Sequence, residues 1–397
     1  MEKFQTGIRP KDEFLKETNK TTIVLFLSGI AVISSLYMTI PLLPIIAVDY
    51  GISLQRAAWA GSIFSIFFAL GCLFFGAIAE RIGLKNVLVA GMVGLSLITF
   101  LIGLASSFTQ LLVLRALQGA IAATFSPPSI TYIGVMFPEK KRLATIGLVT
   151  SGFLLSGVIG QLISSLLAVY TNWQAVFYLF SVIYILAAFF LSFTLKKDSN
   201  TNEEKTFLTV IRSFRLPFKN RSLRLSFGVG LTLLLSFIGM YTALENYLTT
   251  HFYFSGEDIL YVRAVGIFGI IFAPFAGKLA NHFGMKMILY TGFGSAIAGL
   301  IGLGLSTIPA LSIFMSVVFT AGIALIIPTM LALAGQLGGK QRGPATAVYT
   351  FFMFSGASLG PLVATQTLHA GWINLPFFIF AVILGLGWLF VKFIHVP

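Results

Sequence analysis

Twelve uninterrupted apolar stretches dominate this chain, and each is long enough to cross the hydrocarbon core of a bilayer as a helix. They run at about 21–47, 57–79, 85–105, 110–136, 143–168, 173–195, 223–250, 258–280, 285–305, 310–337, 344–369 and 373–394. Backbone amides and carbonyls in lipid must find partners within the protein, so only helices and closed barrels can span it. A barrel would show short stretches of alternating apolar and polar residues, and no such period is present. Composition agrees: 57% hydrophobic and 10% charged residues supply too little polar surface for a soluble domain. The chain therefore reads as an all-α integral membrane protein with twelve transmembrane helices.

A net charge of +13 would suit a nucleic-acid partner, but its distribution points elsewhere. With both termini cytoplasmic, 23 of the 26 Lys and Arg fall on that side, and only Arg56, Arg115 and Arg263 fall elsewhere. Such asymmetry sets the orientation of a multi-pass plasma-membrane protein in the lipid bilayer. The basic excess is thus topological, and no nucleic acid is expected as a partner. Residues 1–20 mix Lys, Arg, Asp and Glu and lack a small-residue cleavage pattern, which reads as a cytoplasmic tail and not a signal peptide. Cys72, alone inside the second stretch, has no disulfide partner and reads as a packing residue.

Residues 196–222 form the one substantial polar linker and divide the spans six and six, into 21–195 and 223–397. The two halves repeat at a near-constant offset. Pro128 matches Pro328, Arg142 matches Arg342, and Trp173…Phe177-Tyr178 matches Trp372…Pro376-Phe377. The clearest repeat is a loop: Gly76-Ala77-Ile78-Ala79-Glu80-Arg81-Ile82-Gly83-Leu84-Lys85 recurs as Gly277-Lys278-Leu279-Ala280-Asn281-His282-Phe283-Gly284-Met285-Lys286. A parallel repeat of two helical bundles with a site at their interface is a transporter architecture. Each half completes the other within one chain, so a monomer suffices.

The first copy of that loop resembles the signature between the second and third spans of the major facilitator superfamily, G-x-L-a-D-R-x-G-R-K. Glu80 stands for the usual Asp and Leu84 for the usual Arg. Pro41-Leu42-Leu43-Pro44 in the first span and Arg115-Ala116-Leu117-Gln118-Gly119 in the fourth are similar to family elements, closest to the twelve-span drug:proton antiporters. The resemblance covers the chain after residue 20. It implies two pseudo-symmetric six-helix bundles that rock by alternating access. It also implies a gating set of Gly76, Glu80, Arg81, Gly83 and Lys85, with Gly277, Gly284 and Lys286 in the second copy. In the family the acid helps latch the halves together on the cytoplasmic side; without that role the loop is a basic turn, and the second copy has Asn281 in place of the acid. The fifth span departs from the antiporter pattern G-x-x-x-G-P-x-x-G-G. Ser156-Gly157-Val158-Ile159-Gly160-Gln161 lacks the Pro, and the better copy is Gly356…Gly360-Pro361 in the eleventh. Small residues at that spacing let helices touch, as a hinge between halves requires.

Scarce intramembrane charge singles out the remaining candidates. Arg115 should face a cavity or an acid, unless it snorkels to the outer interface; the resemblance implies a part in proton coupling. Glu245, within Tyr241-Thr242-Ala243-Leu244-Glu245-Asn246-Tyr247, is the carboxylate best placed inside a predicted helix. An acid there is expensive when ionised, so it reads as a proton carrier, or as a solvated group if the helix ends near residue 243. Several drug:proton antiporters, which the chain resembles, carry a lone acid in that span. Asp49 reads as an outer loop residue or as a partner for Arg115. Tyr37, Gln118, Gln161, Tyr241 and Asn246 are polar groups at similar depth and candidate walls of a substrate cavity. No G-x-x-x-x-G-K-[ST] cradle occurs, and the four histidines show no ligand spacing, so no cofactor, metal or enzymatic activity is expected. The expected function is a secondary transporter whose partners are protons and a small-molecule substrate, exporting hydrophobic or amphipathic compounds. Proton-coupled uptake of a sugar, organic acid or other metabolite is the alternative, and a membrane-embedded enzyme a distant one.

Overall fold

A computed structural model describes residues 11–198, 217–368 and 372–396. Among these, twelve helical spans are long and apolar enough to cross a membrane, and no strand occurs. The first six are α1 (Thr18–Tyr37), α2 (Leu54–Phe75), α3 (Leu84–Gly103), α4 (Phe108–Met136), α5 (Glu139–Tyr170) and α6 (Trp173–Thr194). The last six are α7 (Arg221–Phe252), α8 (Gly256–Phe283), α9 (Met285–Leu305), α10 (Pro309–Gly338), α11 (Arg342–Leu368) and α12 (Leu375–Lys392). Successive spans alternate in direction, so the start of α1 and the end of α12 share one face, the terminal face. The other is the far face.

Proline decides where spans break, because it removes an amide donor and crowds the preceding turn. The first stretch is not one helix to residue 47: it ends at Tyr37, turns, and resumes as a short helix Leu43–Asp49 with Pro44 in its first turn. Within α4 the helix stops at Ala122 and restarts at Ser126, just before Pro127 and Pro128. Pro274 sits in a short 3-10 turn, Ala273–Phe275, that interrupts α8. The repeated loop has the same backbone in both copies. Gly83 has φ 101° and ψ 137°, and Gly284 has φ 85° and ψ 148°, conformations that favour glycine.

Packing repeats with the sequence. In the first six spans α1 lies on α5 and α6, α2 on α4, and α3 on α4 and α6; in the last six α7 lies on α11 and α12, α8 on α10, and α9 on α10 and α12. Between the two sets, α2 meets α11 and α5 meets α8, which the same exchange also relates. The glycine rows do not form the hinge between halves that their spacing suggested. A β-carbon on Gly160 would sit 3.1 Å from Ser34 Cα in α1, and one on Gly360 would sit 2.8 Å from the Gly239 amide in α7. Both rows pack helices within a half.

The halves meet instead through Gly147 of α5 and Gly277 of α8. A β-carbon on Gly277 would lie 2.7 Å from Ala144 Cα, and one on Gly147 would lie 3.2 Å from Pro274 Cα. Nearby, Thr131 of α4 and Thr346 of α11 share a hydroxyl hydrogen bond of 3.0 Å, and Arg342 donates to the Gly134 carbonyl. These contacts join the halves on the terminal side.

Candidate functional site

A cavity of about 240 Å³ lies between the halves, towards the far face, walled by α1, α5, α7, α8 and α11. Leu154, Val158, Phe237, Ile238 and Ile270 make most of its surface apolar. Glu245 and Arg263 supply its two charges. The α7 helix runs unbroken to Phe252, so Glu245 lies two turns inside it and is no loop residue. Its Oε2 is 2.6 Å from Arg263 Nη2, with the two side chains 47% and 17% exposed. Arg263 Nη1 donates to Gln161 Oε1 of α5, and Gln161 Nε2 donates to the Gly157 carbonyl at 2.5 Å. One guanidinium therefore ties α7, α8 and α5 together across the interface of the halves. Its Nε–H is buried without a hydrogen-bond partner among the described residues.

Sequence alone does not single out Arg263 as a site residue, although it is one of only three cations off the basic side of the charge count. A usable signal was depth. Glu245 lies seven residues before the far end of α7 and Arg263 seven after the far start of α8, which puts them level across an antiparallel pair.

Tyr37, Gln161 and Tyr241 line this cavity. Tyr241 hydroxyl is 3.1 Å from Thr320 Oγ1 of α10. Gln118 and Asn246 do not line it. Gln118 is fully buried in the first half, where its Oε1 accepts from Arg115 and its Nε2 donates to Thr99 Oγ1 at 2.8 Å. Asn246 is exposed off the cavity, since adjacent helix positions are turned by about 100° from one another.

Arg115 is fully buried and does not snorkel. Nε donates to the Ala60 carbonyl at 3.0 Å, Nη2 to the Ser35 carbonyl at 3.1 Å and Thr39 Oγ1 at 3.3 Å, and the Phe64 ring lies 4.4 Å from the guanidinium carbon. The group joins α1, α2 and α4, with no ion pair to an acid among the described residues. Asp49 is not brought to it. That carboxylate is exposed and accepts from Trp173 Nε1 at 2.8 Å. Burial, with the Asp49 charge adding, raises the neighbouring Tyr50 phenol above its ordinary value.

On the terminal face, Arg81 is exposed, and Lys85 Nζ donates to the Ser192 carbonyl at 2.7 Å. Asp198 at the start of the linker accepts from the Leu84 amide at 2.9 Å and caps α3. The Glu80 side chain and the surroundings of Gly76 lie outside the described residues. So do residues 1–10 of the tail and 199–216 of the linker. Lys286 lines a second cavity of about 780 Å³ with Arg142, Asn281 and Arg342. No cluster of three or more His, Cys, Asp or Glu able to hold a metal occurs among the described residues.

The sequence profile of the major facilitator superfamily matches residues 25–361 and 264–397. The chain belongs to the major facilitator superfamily. An uncharacterized transporter of Buchnera aphidicola subsp. Schizaphis graminum is 24% identical over 95% of this chain and 93% of its own length. The multidrug resistance protein MdtG of Escherichia coli O1:K1 / APEC is 26% identical over 67% of this chain and 66% of its own. The crystal structure of the human organic anion transporter MFSD10 superposes with a TM-score of 0.79 at 14% identity, covering 96% of this chain and 100% of that one. At that identity the likeness is one of fold. Family and relatives are transporters and not enzymes, so the chain is a multi-pass membrane transporter.

Proposed function

We propose that the chain is a proton-coupled secondary transporter that moves small amphipathic compounds by alternating access, with Glu245 as the proton-bearing group. The observation that carries this is the Glu245–Arg263–Gln161 chain of contacts in the wall of the cavity between the halves. A proton on Glu245 removes the charge partner of the guanidinium that bridges α8 and α5. The proton then favours one arrangement of the halves over the other, and differential affinity for two conformations is what couples binding to movement. In this reading the bundles 21–195 and 223–397 are the moving units, and the terminal face is cytoplasmic, by the distribution of Lys and Arg. The described arrangement, closed at Gly147 and Gly277, then faces outward from the plasma membrane. The two loops, with Glu80, Arg81, Lys85 and Lys286, belong to its inner gate.

Direction follows from whether cargo and proton exclude or assist each other. Exclusion gives exchange and export, a reading supported by the apolar walls and by the multidrug resistance of the relative MdtG. Assistance gives uptake with a proton, and Arg263 beside Glu245 favours it. Transport into proteoliposomes, with acid imposed on either side and a panel of amphipathic solutes, separates the two. Glu245→Gln should abolish gradient-driven movement while solute counterflow persists. Gradient-driven transport that survives the substitution would refute the proton assignment.

A further inference from the structure

We propose that Arg263 is the anchor for the cargo, and that the cargo is an amphipathic organic anion, a carboxylate on a compact apolar body. The geometry of the guanidinium points there. A carboxylate binds arginine best side-on, taking two parallel donors at once. The Nε–Nη2 edge of Arg263 offers such a pair, yet Glu245 takes only Nη2, at 2.6 Å, and the buried Nε–H has no partner. Glu245 therefore occupies a bidentate edge without filling it. Arg115 shows no such gap: it is not among the buried groups left unpartnered, and all three of its nitrogens are bonded.

The surroundings select the rest of the ligand. Leu154, Val158, Phe237, Ile238 and Ile270 offer an apolar lining beside the guanidinium, suited to an aromatic or branched aliphatic body. A cationic solute would meet Arg263 directly. The titratable side chains facing the pair are Tyr37 at the end of α1 and Tyr241 on α7, and both are phenols without charge at neutral pH. The ionised Glu245 is thus the competing anion in the cavity.

That competition fixes the sign of coupling, given Glu245 as the proton site. Ionised Glu245 and an empty cavity are balanced, as are protonated Glu245 and a bound carboxylate. The two mixed states leave one unpaired charge in an apolar wall, which is costly. Proton and anion consequently bind together, and Arg263 selects the uptake reading for its cargo.

Equilibrium binding to the purified full chain in nanodiscs tests this without a gradient. The probes are matched sets of one shape and three charges: benzoate, benzamide and benzylammonium, and the corresponding 2-naphthyl compounds. The acids stay ionised at both pH 6 and pH 8. Carboxylates should bind saturably, more tightly at pH 6, and about tenfold or more tighter than the amides, as a charge-assisted fork requires. Arg263→Gln should remove that preference, and Arg263→Lys should restore part of it. Glu245→Gln should have the opposite effect, strengthening carboxylate binding and removing its dependence on pH. Equal or tighter binding of the amide or ammonium, no saturable carboxylate binding in either set, or an unchanged carboxylate preference in Arg263→Gln would each overturn the proposal. Proton-driven transport surviving in Glu245→Gln would instead overturn the proton assignment, so the two failures are distinguishable.

Discussion

Gly277→Ala tests whether the contact of α5 with α8 holds the halves together on the terminal side. The added β-carbon would lie 2.7 Å from Ala144 Cα and 2.8 Å from the Leu143 carbonyl carbon, both backbone atoms of α5 that no rotamer change can move aside. Reaching an ordinary carbon–carbon distance of roughly 3.5–4.0 Å requires α5 and α8 to part by about 1 Å. Overpacking of this kind costs about 1–3 kcal/mol. The cost falls on the arrangement in which α5 and α8 touch, so the conformational equilibrium should move roughly 5–150-fold towards the arrangement open at the terminal face. The readout is alkylation of single cysteines in a Cys72→Ser background. A reporter at Ile40, which is 43% exposed on the far-side cavity wall, should label more slowly in the variant. A reporter at Ala332, 8% exposed in the terminal-face cavity, should label faster. If both rates stay unchanged, the glycine contact does not set the equilibrium. Faster labelling at Ile40 would mean that the closed side has been misassigned.

Three further substitutions probe stability apart from transport. Arg115→Met removes hydrogen bonds from a charged group to α1 and α2, each worth about 1.5–3 kcal/mol, and should lower the melting temperature in detergent; an unchanged melt would show that the network is not holding those helices. Gly83→Ala forces a β-carbon onto a backbone with φ 101° and should cost about 1–3 kcal/mol, with Gly284→Ala behaving alike at φ 85°. Thermal unfolding checks both, and a neutral result in one loop alone would break their equivalence.

The spans were legible because lipid leaves so few options: apolar length and the placement of Lys and Arg carry nearly all the information. Where a span breaks was less so. Pro41 and Pro44 end α1 at Tyr37, whereas Pro328 sits inside the continuous helix Pro309–Gly338, and local sequence does not separate the two cases. The glycine rows of α5 and α11 were visible, but spacing alone does not say which neighbour a small face meets. Gln118 looked like a cavity residue by depth. It stands three positions after Arg115, on the same helix face, and that proximity, the stronger local signal, already placed it beside the guanidinium.

The candidate site shows why a missing partner matters more than a misplaced boundary. Read alone, Glu245 is a lone acid in an apolar span, and a lone acid suits exchange, because cargo and proton then compete for one space. Paired with Arg263, the same carboxylate belongs to a neutral unit, and the question becomes what can replace it there. A neutral solute leaves the pair intact and gains nothing from the proton. A cation is opposed by the guanidinium. An anion can take the Nε–Nη2 edge only when Glu245 has given up its charge, so its binding rises with the proton's. Exchange and co-transport thus differ at this site by one hydrogen-bonded neighbour, 18 positions along the chain.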